Sequence, residues 1–290
     1  MKRLLISREM LIGYAVAAVL GCVIVFFGVR WLEGAMTFHP DRLTMDQRVP
    51  PPPGSIDVWF TAADGTRLHG WYFSANSAPD TATIIYFHGN GGNITNVGWI
   101  GEYFSKRGFN ILLFDYRGYG FSGGDVGHES GLYLDGEAAL DFVVKEKAVA
   151  TAKVVLYGQS LGTAVATEVA TRRQIGALVL ESGFSSVSSV AAGALPWLPR
   201  ALHSLARNRF DSAEKLKRVK VPVLVSHGDP DPVIPLDEGR KLFAAANEPK
   251  QILIFPGTGH NVFGSAGQVY LDQLTTFIRE ALLNSPTERS

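Results

Sequence analysis

The sequence predicts an α/β protein: a mostly parallel eight-stranded sheet flanked by helices, preceded by one N-terminal transmembrane helix. Three observations predict it. Eight short β-rich runs recur over residues 55–284, most of them separated by stretches of helical spacing, the alternation of a sheet covered by helices on both faces. Ahead of them, Met10 to Val29 carries no charge over twenty positions, long enough for a helix to cross ~30 Å of hydrocarbon. The composition, 46% hydrophobic and 19% charged over 290 residues, is that of one large globular unit with an appendage. It excludes disordered and fibrous chains.

The elements follow in chain order. Residues 1–9 form a tail and residues 10–29 a membrane anchor. A cleaved signal peptide fits less well, because its apolar region is usually about 7–15 residues. A lipoprotein signal at Cys22 also fits less well, because Val23-Ile24-Val25-Phe26-Phe27 follows where a processed chain turns polar. Lys2, Arg3 and Arg8 before the span face Arg30, Arg42 and Arg48 after it, a balance that favours a cytoplasmic tail and the globular domain on the other side. Residues 30–54 end in Pro50-Pro51-Pro52-Pro53-Gly54 and read as a short extended spacer. Ile56–Phe60 and Leu68–Phe73, separated by Asp64-Gly65, form an entry hairpin. Thr83–Phe87, Asn110–Phe114, Lys153–Tyr157, Ala177–Leu180, Val221–Ser226 and Gln251–Phe255 read as strands buried on both faces. Helical spacing covers Ile94–Arg107, Ser130–Lys147, Leu161–Arg172, Leu236–Ala246 and Ala266–Leu283. The insertion at about 183–215, with Leu195, Pro196, Trp197, Leu198, Pro199 and Leu202, is a candidate lid, and residues 285–290 form a C-terminal tail.

Reactive groups in such a sheet collect beyond the carboxyl ends of the strands. Gly158-Gln159-Ser160-Leu161-Gly162 follows one strand and opens a helix, the context a nucleophile elbow requires. Gly120-Phe121-Ser122-Gly123-Gly124 matches the same pattern but lies in a turn-rich stretch, so Ser122 is a decoy. A serine hydroxyl is a poor nucleophile until a base takes its proton. Of seven histidines, only His260 lies downstream of both partners in the chain order serine, acid, histidine. His227 and His88 sit at strand tips in the wrong order, while His39, His69, His128 and His203 read as surface or loop residues. The acid belongs at the tip of the strand before the histidine loop, where His227-Gly228-Asp229-Pro230-Asp231 offers two carboxylates that spacing does not separate; Asp237 reads as a helix-terminal partner. For the oxyanion, Leu161 supplies one backbone N–H, and Asn90 in the glycine-rich loop His88-Gly89-Asn90-Gly91-Gly92-Asn93 supplies the second. That loop lacks the ending of a P-loop and the spacing of a dinucleotide fingerprint.

Together with Asp115-Tyr116-Arg117-Gly118-Tyr119-Gly120-Phe121-Ser122, these motifs resemble the α/β-hydrolase superfamily, in particular its membrane-anchored serine hydrolases related to serine aminopeptidase-like and lipase-like members. The resemblance covers Ser55 to Leu283. It implies Asp231 rather than Asp229 as the acid, and structural or pocket-lining roles for Asp115, Tyr116 and Arg117. The chemistry expected is cleavage of an ester or thioester by Ser160, His260 and Asp231 through an acyl-enzyme, without metal or organic cofactor. A hydrophobic acyl substrate fits the apolar insertion and the anchor. A formal net charge of +0 argues against nucleic acid as a partner. Two other readings stay open: a peptidase, for which Glu181 is the acidic group near Ser160, and a catalytically silent interaction protein on the same scaffold.

Overall fold

A computed structural model describes residues 7–75, 81–194, 197 and 207–283. Helix α1 (Arg8–Thr37) starts at Ser7, whose side chain accepts from the Met10 N–H at 3.2 Å, and none of the apolar stretch Arg8–Gly28 is buried against the rest of the chain. At 30 residues it is about 45 Å long. The helix overruns the apolar stretch by two turns, into residues expected to be spacer. The chain beyond it packs closely: Phe38 is buried, and His39 and Pro40 pair in parallel with Gly91 and Gly92.

The sheet has the order β1 (Ser55–Thr61), β2 (Arg67–Phe73), β4 (Asn110–Phe114), β3 (Thr83–Phe87), β5 (Val154–Gln159), β6 (Ala177–Glu181), β7 (Val223–Gly228), β8 (Lys250–Phe255). The β1–β2 hairpin and the β2–β4 pair are antiparallel; every other pair is parallel. Strand alternation divides the interior into two cores, because successive side chains point to opposite faces. Ile85, Phe87, Leu156, Leu178 and Leu180 pack on one side with α3 (Glu129–Asp141), α4 (Leu161–Arg172) and α7 (Leu236–Ala245). Ile84, Tyr86, Val155, Tyr157 and Val179 pack on the other with α2 (Gly98–Ser105) and α9 (Gly267–Leu283).

Two expectations are corrected. Strand β8, read as buried on both faces, is the sheet's edge and leaves Ile254 39% exposed. His69, read as a surface residue, is buried on β2, where its Nε2 lies 3.2 Å from Asp57 Oδ1 and its N–H donates to Ser122 Oγ. In the insertion after β6, α5 (Val187–Ala194) and α6 (Ser212–Leu216) are described, with Trp197 exposed between them. Leu195, Pro196, Leu198, Pro199, Leu202 and His203 lie outside the described residues. Among the described residues no cluster of three metal-ligating side chains occurs.

Candidate active site

Ser160 stands between β5 and α4 with φ 53° and ψ −118°, a left-handed conformation that non-glycine residues rarely adopt. The turn is tight enough that flanking side chains would not fit. A Cβ on Gly158 would lie 2.5 Å from the Gly162 carbonyl oxygen, and one on Gly162 would overlap the Phe87 carbonyl of the neighbouring strand. Small residues therefore let the helix begin at once while Ser160 projects from the bend. The Ser160 N–H donates to the Glu181 carbonyl oxygen at 2.9 Å, tying the bend to β6.

Three loops bring the expected partners to it. His260, on the loop between β8 and the short helix α8 (Val262–Ser265), places Nε2 2.9 Å from Ser160 Oγ. Its Nδ1 lies 2.7 Å from Asp231 Oδ2. The serine, imidazole and carboxylate thus form one continuous relay from residues 100 and 29 positions apart. Asp229 faces elsewhere: its Oδ1 accepts from the Gly257 N–H at 2.8 Å. The carboxylate next to His260 is Asp231.

The surroundings keep Asp231 ionised. Its burial pushes the carboxyl up, but contacts from His227 and His260 and backbone donors outweigh that cost and hold it well below the ordinary carboxylate range. The backbone donors are the N–H groups of Val233 and Ile234, at 2.8 and 2.9 Å from Oδ1. His227, set aside in the sequence because it precedes the acids, has a part here. It is fully buried, its Nε2 donates to the Ile234 carbonyl at 2.9 Å, and the same nitrogen lies 3.3 Å from Asp231 Oδ2. It braces the bend that presents the carboxylate. The His-Gly-x-x-Asp spacing is its signal in the sequence.

Of the two N–H groups expected to stabilise an oxyanion, one follows the serine in the chain and the other belongs to a loop that passes near it. Leu161 is the first residue of α4, so its N–H has no acceptor within the helix. The loop with Asn90 passes close by: a Cβ on Gly89 would lie 3.5 Å from Ser160 Cβ and 2.6 Å from Gln159 Oε1. Asn90 itself accepts the Tyr119 hydroxyl, at 2.9 Å on its carbonyl oxygen and 3.2 Å on Oδ1. His88, under the loop, is buried, and that burial pushes its imidazole below its ordinary value against the pull of Asp115. Its Nδ1 lies 2.7 Å from the Gly89 carbonyl.

The Asp115 to Ser122 stretch supports this loop. Asp115 Oδ1 accepts the Ile94 N–H at 2.9 Å, and the buried Tyr116 donates to the His88 carbonyl at 3.2 Å. Ser122 is buried and donates to the Asp115 carbonyl at 2.7 Å, so the decoy motif has a hydroxyl already committed. Arg117 grips Asp135, whose side chain is fully buried on α3, at 2.7–3.1 Å, and Asp64 at 2.7 Å. Burial raises the Asp135 carboxyl, and Arg117 opposes the rise. Arg117→Ala therefore leaves a buried carboxylate without its cation, and we expect a stability loss of about 3–5 kcal/mol in urea unfolding. A loss under about 1 kcal/mol, the scale of an exposed pair, would contradict this account.

Glu181, the acidic group the peptidase reading expects near Ser160, is beside it through the main chain but commits its side chain elsewhere. Strand alternation sends its side chain to the side of Val179 and Ala177, where it is fully buried. Oε1 accepts the Phe263 N–H at 3.0 Å, and Oε2 accepts the hydroxyls of Tyr157 and Tyr270. Burial pushes this carboxyl above its ordinary value. Because Phe263 is three residues beyond His260, the glutamate fastens the histidine loop from beneath and has no free oxygen for a substrate amino terminus.

Comparison with known proteins agrees with this architecture. The family described as "Serine aminopeptidase, S33" matches residues 78–213. Protein Rv2307c of Mycobacterium tuberculosis is 38% identical over 229 residues, covering 79% of this chain and 80% of that protein. The alpha/beta hydrolase domain-containing protein WAV2 of Arabidopsis thaliana is 30% identical over 232 residues, covering 74% and 75%. Among solved structures, the Pyrococcus furiosus esterase Pf2001 superposes with a TM-score of 0.68 at 19% identity, covering 85% of this chain and 98% of that one. At that identity the likeness is one of fold.

Proposed function

Since the chain belongs to the α/β-hydrolase superfamily, we propose that it is a membrane-anchored serine hydrolase that cleaves an ester or thioester through Ser160, His260 and Asp231. The observation that carries this reading is the unbroken relay of 2.9 and 2.7 Å from Ser160 Oγ through His260 to Asp231. In the first half-reaction Ser160 Oγ attacks the carbonyl carbon while His260 Nε2 takes its proton. Asp231 accepts from Nδ1–H, fixes the tautomer and stabilises the imidazolium. The N–H groups of Leu161 and Asn90 stabilise the oxyanion. His260 then protonates the leaving alcohol or thiol, and the acyl group stays on Ser160. In the second half-reaction water, deprotonated by His260, attacks the acyl-enzyme, the bond from the acyl carbon to Ser160 Oγ breaks as His260 returns the proton to Oγ, and the acid is released.

The apolar helix α1 supports a single-pass anchor, and the basic residues around it favour placing the hydrolase domain on the non-cytoplasmic side. A hydrophobic acyl substrate suits an enzyme tethered beside lipid. The amino-terminal peptidase reading loses its acidic group, because both oxygens of Glu181 are occupied inside the sheet. The test is fluorophosphonate labelling of the detergent-solubilised full chain, followed by a panel of ester, thioester and amide substrates. Covalent labelling that requires Ser160, with ester or thioester turnover exceeding amide turnover, is the expected result. A folded wild type that does not label would transfer the argument to a silent scaffold.

A further inference from the structure

The segment that leaves the apolar helix reaches the active-site rim. Phe38 is buried, with its ring edge-on to Phe210 at 6.3 Å. The next residues thread between the loop after β3, which passes Ser160, and the loop after β4 that supports it. On the one side, the His39 N–H donates to Asn90 Oδ1 at 3.1 Å, His39 and Pro40 pair with Gly91 and Gly92, and Asn93 Nδ2 lies 3.2 Å from both the carbonyl and Oδ2 of Asp41. On the other, the Gly120 N–H donates to the Asp41 carbonyl and the Leu43 N–H to the Gly120 carbonyl, both at 2.9 Å. Arg42 adds bonds to the Gly118 and Gly124 carbonyls and to Asp125.

We infer that residues 38–43 are a positioning element of the hydrolytic site: they hold the Asn90 loop in the geometry that aims its N–H at the oxyanion. The inference rests on the catalytic reading above. Both acceptors of Asn90, the carbonyl oxygen and Oδ1, receive donors, from Tyr119 and, at Oδ1, from His39. Each bond restrains the residue's orientation without occupying its N–H. One of the two groups supplying them lies outside the eight-stranded sheet and its helices, on the short strand that begins at His39, two residues after α1 ends. Oxyanion donors act because they are fixed before the reaction, so a loop that has lost one of its restraints stabilises the transition state less while binding the ground state much as before. A displacement of about 1 Å in a catalytic group is enough to lower turnover about a hundredfold.

The test uses the full-length, detergent-solubilised protein, 4-nitrophenyl acetate as a soluble ester, and an alkyl trifluoromethyl ketone that adds to the serine and presents an oxyanion. His39→Pro deletes the main-chain donor to Asn90 Oδ1. We expect kcat to fall about 10- to 100-fold with little change in KM, and the ketone to weaken by a similar factor. His39→Ala, which keeps the donor, is the rescue variant and restores both. Asp41→Ala, which removes the carboxylate beside Asn93 and leaves the main-chain bonds, gives a smaller loss with the same split. It serves in place of His39→Pro if that variant does not fold. Losses that His39→Ala shares with His39→Pro, or that track the melting temperature and not the ketone, would overturn the inference in favour of plain packing. Unchanged kcat in a folded His39→Pro would overturn it directly. A wild type that neither labels nor hydrolyses the ester overturns the catalytic reading, and this inference with it, a result separable from the others because it appears before any variant is made.

Discussion

In Ser160→Ala, turnover of any accepted ester falls about a million-fold, the scale observed when the nucleophile of a serine triad is removed, and fluorophosphonate labelling disappears. The same substitution at Ser122 leaves labelling intact, because that hydroxyl is buried and donates to the Asp115 carbonyl. The contrast separates two motifs of identical pattern by the backbone that carries them. Ser160 sits on a bend with positive φ, 2.9 Å from an imidazole nitrogen; Ser122 is a bracing residue between β2 and the Asp115 loop. Tandem mass spectrometry of the labelled peptide after proteolysis reads the site directly. Label on a residue other than Ser160 would refute the assignment.

The second large effect is at Asp231. Asp231→Asn keeps the shape of the loop but cannot hold His260 in the tautomer with Nδ1 protonated, and comparable changes lower kcat by about 10⁴. Asp229→Asn leaves turnover near the wild-type value, because Asp229 bonds to the Gly257 N–H and not to the imidazole. Equal losses at the two positions would reject the assignment. The same residue makes a prediction about pH. Its carboxyl in the folded protein is held below the ordinary value. A group of this kind contributes stability that is fully present above the unfolded pKa of about 4 and is lost as pH falls below it. The stability difference between wild type and Asp231→Asn should therefore shrink as pH is lowered from about 5, in urea titrations at each pH.

Much of this fold is legible in the chain because buried parallel strands and amphipathic helices leave different periodicities. Thr83–Phe87, Asn110–Phe114 and Leu161–Arg172 are recovered with their expected ends. The elements that escape are those fixed by partners distant in sequence. Gln251–Phe255 has the same unbroken apolar run as a central strand, and only the order of the sheet makes it an edge. The Phe38–Leu43 segment binds the rim mainly through its main chain, which has no side-chain signature, so the proline run downstream dominates its sequence and suggests a spacer. At the site, the serine and histidine are readable from chain order and from the strand-to-helix context. The acid needs the motif resemblance, and its distinction from Asp229 becomes physical only when the loop folds back on His227. Glu181 is near Ser160 as the strand tip suggests, and counting by twos from Ala177 and Val179 puts its side chain on their face of the sheet.

The left-handed conformation of Ser160 has a thermodynamic side. A non-glycine residue held there raises the energy of the folded chain by about 1–3 kcal/mol. Glycine would relieve that strain, offset in part by about 0.5–1 kcal/mol of extra freedom in the unfolded chain. Ser160→Gly should consequently melt at a higher temperature than the wild type while losing all covalent labelling, and an unchanged or lower melting temperature would show the bend to be unstrained. At this position selection for turnover opposes selection for stability, and a descendant that no longer needs the reaction gains robustness from the very change that makes its loss permanent.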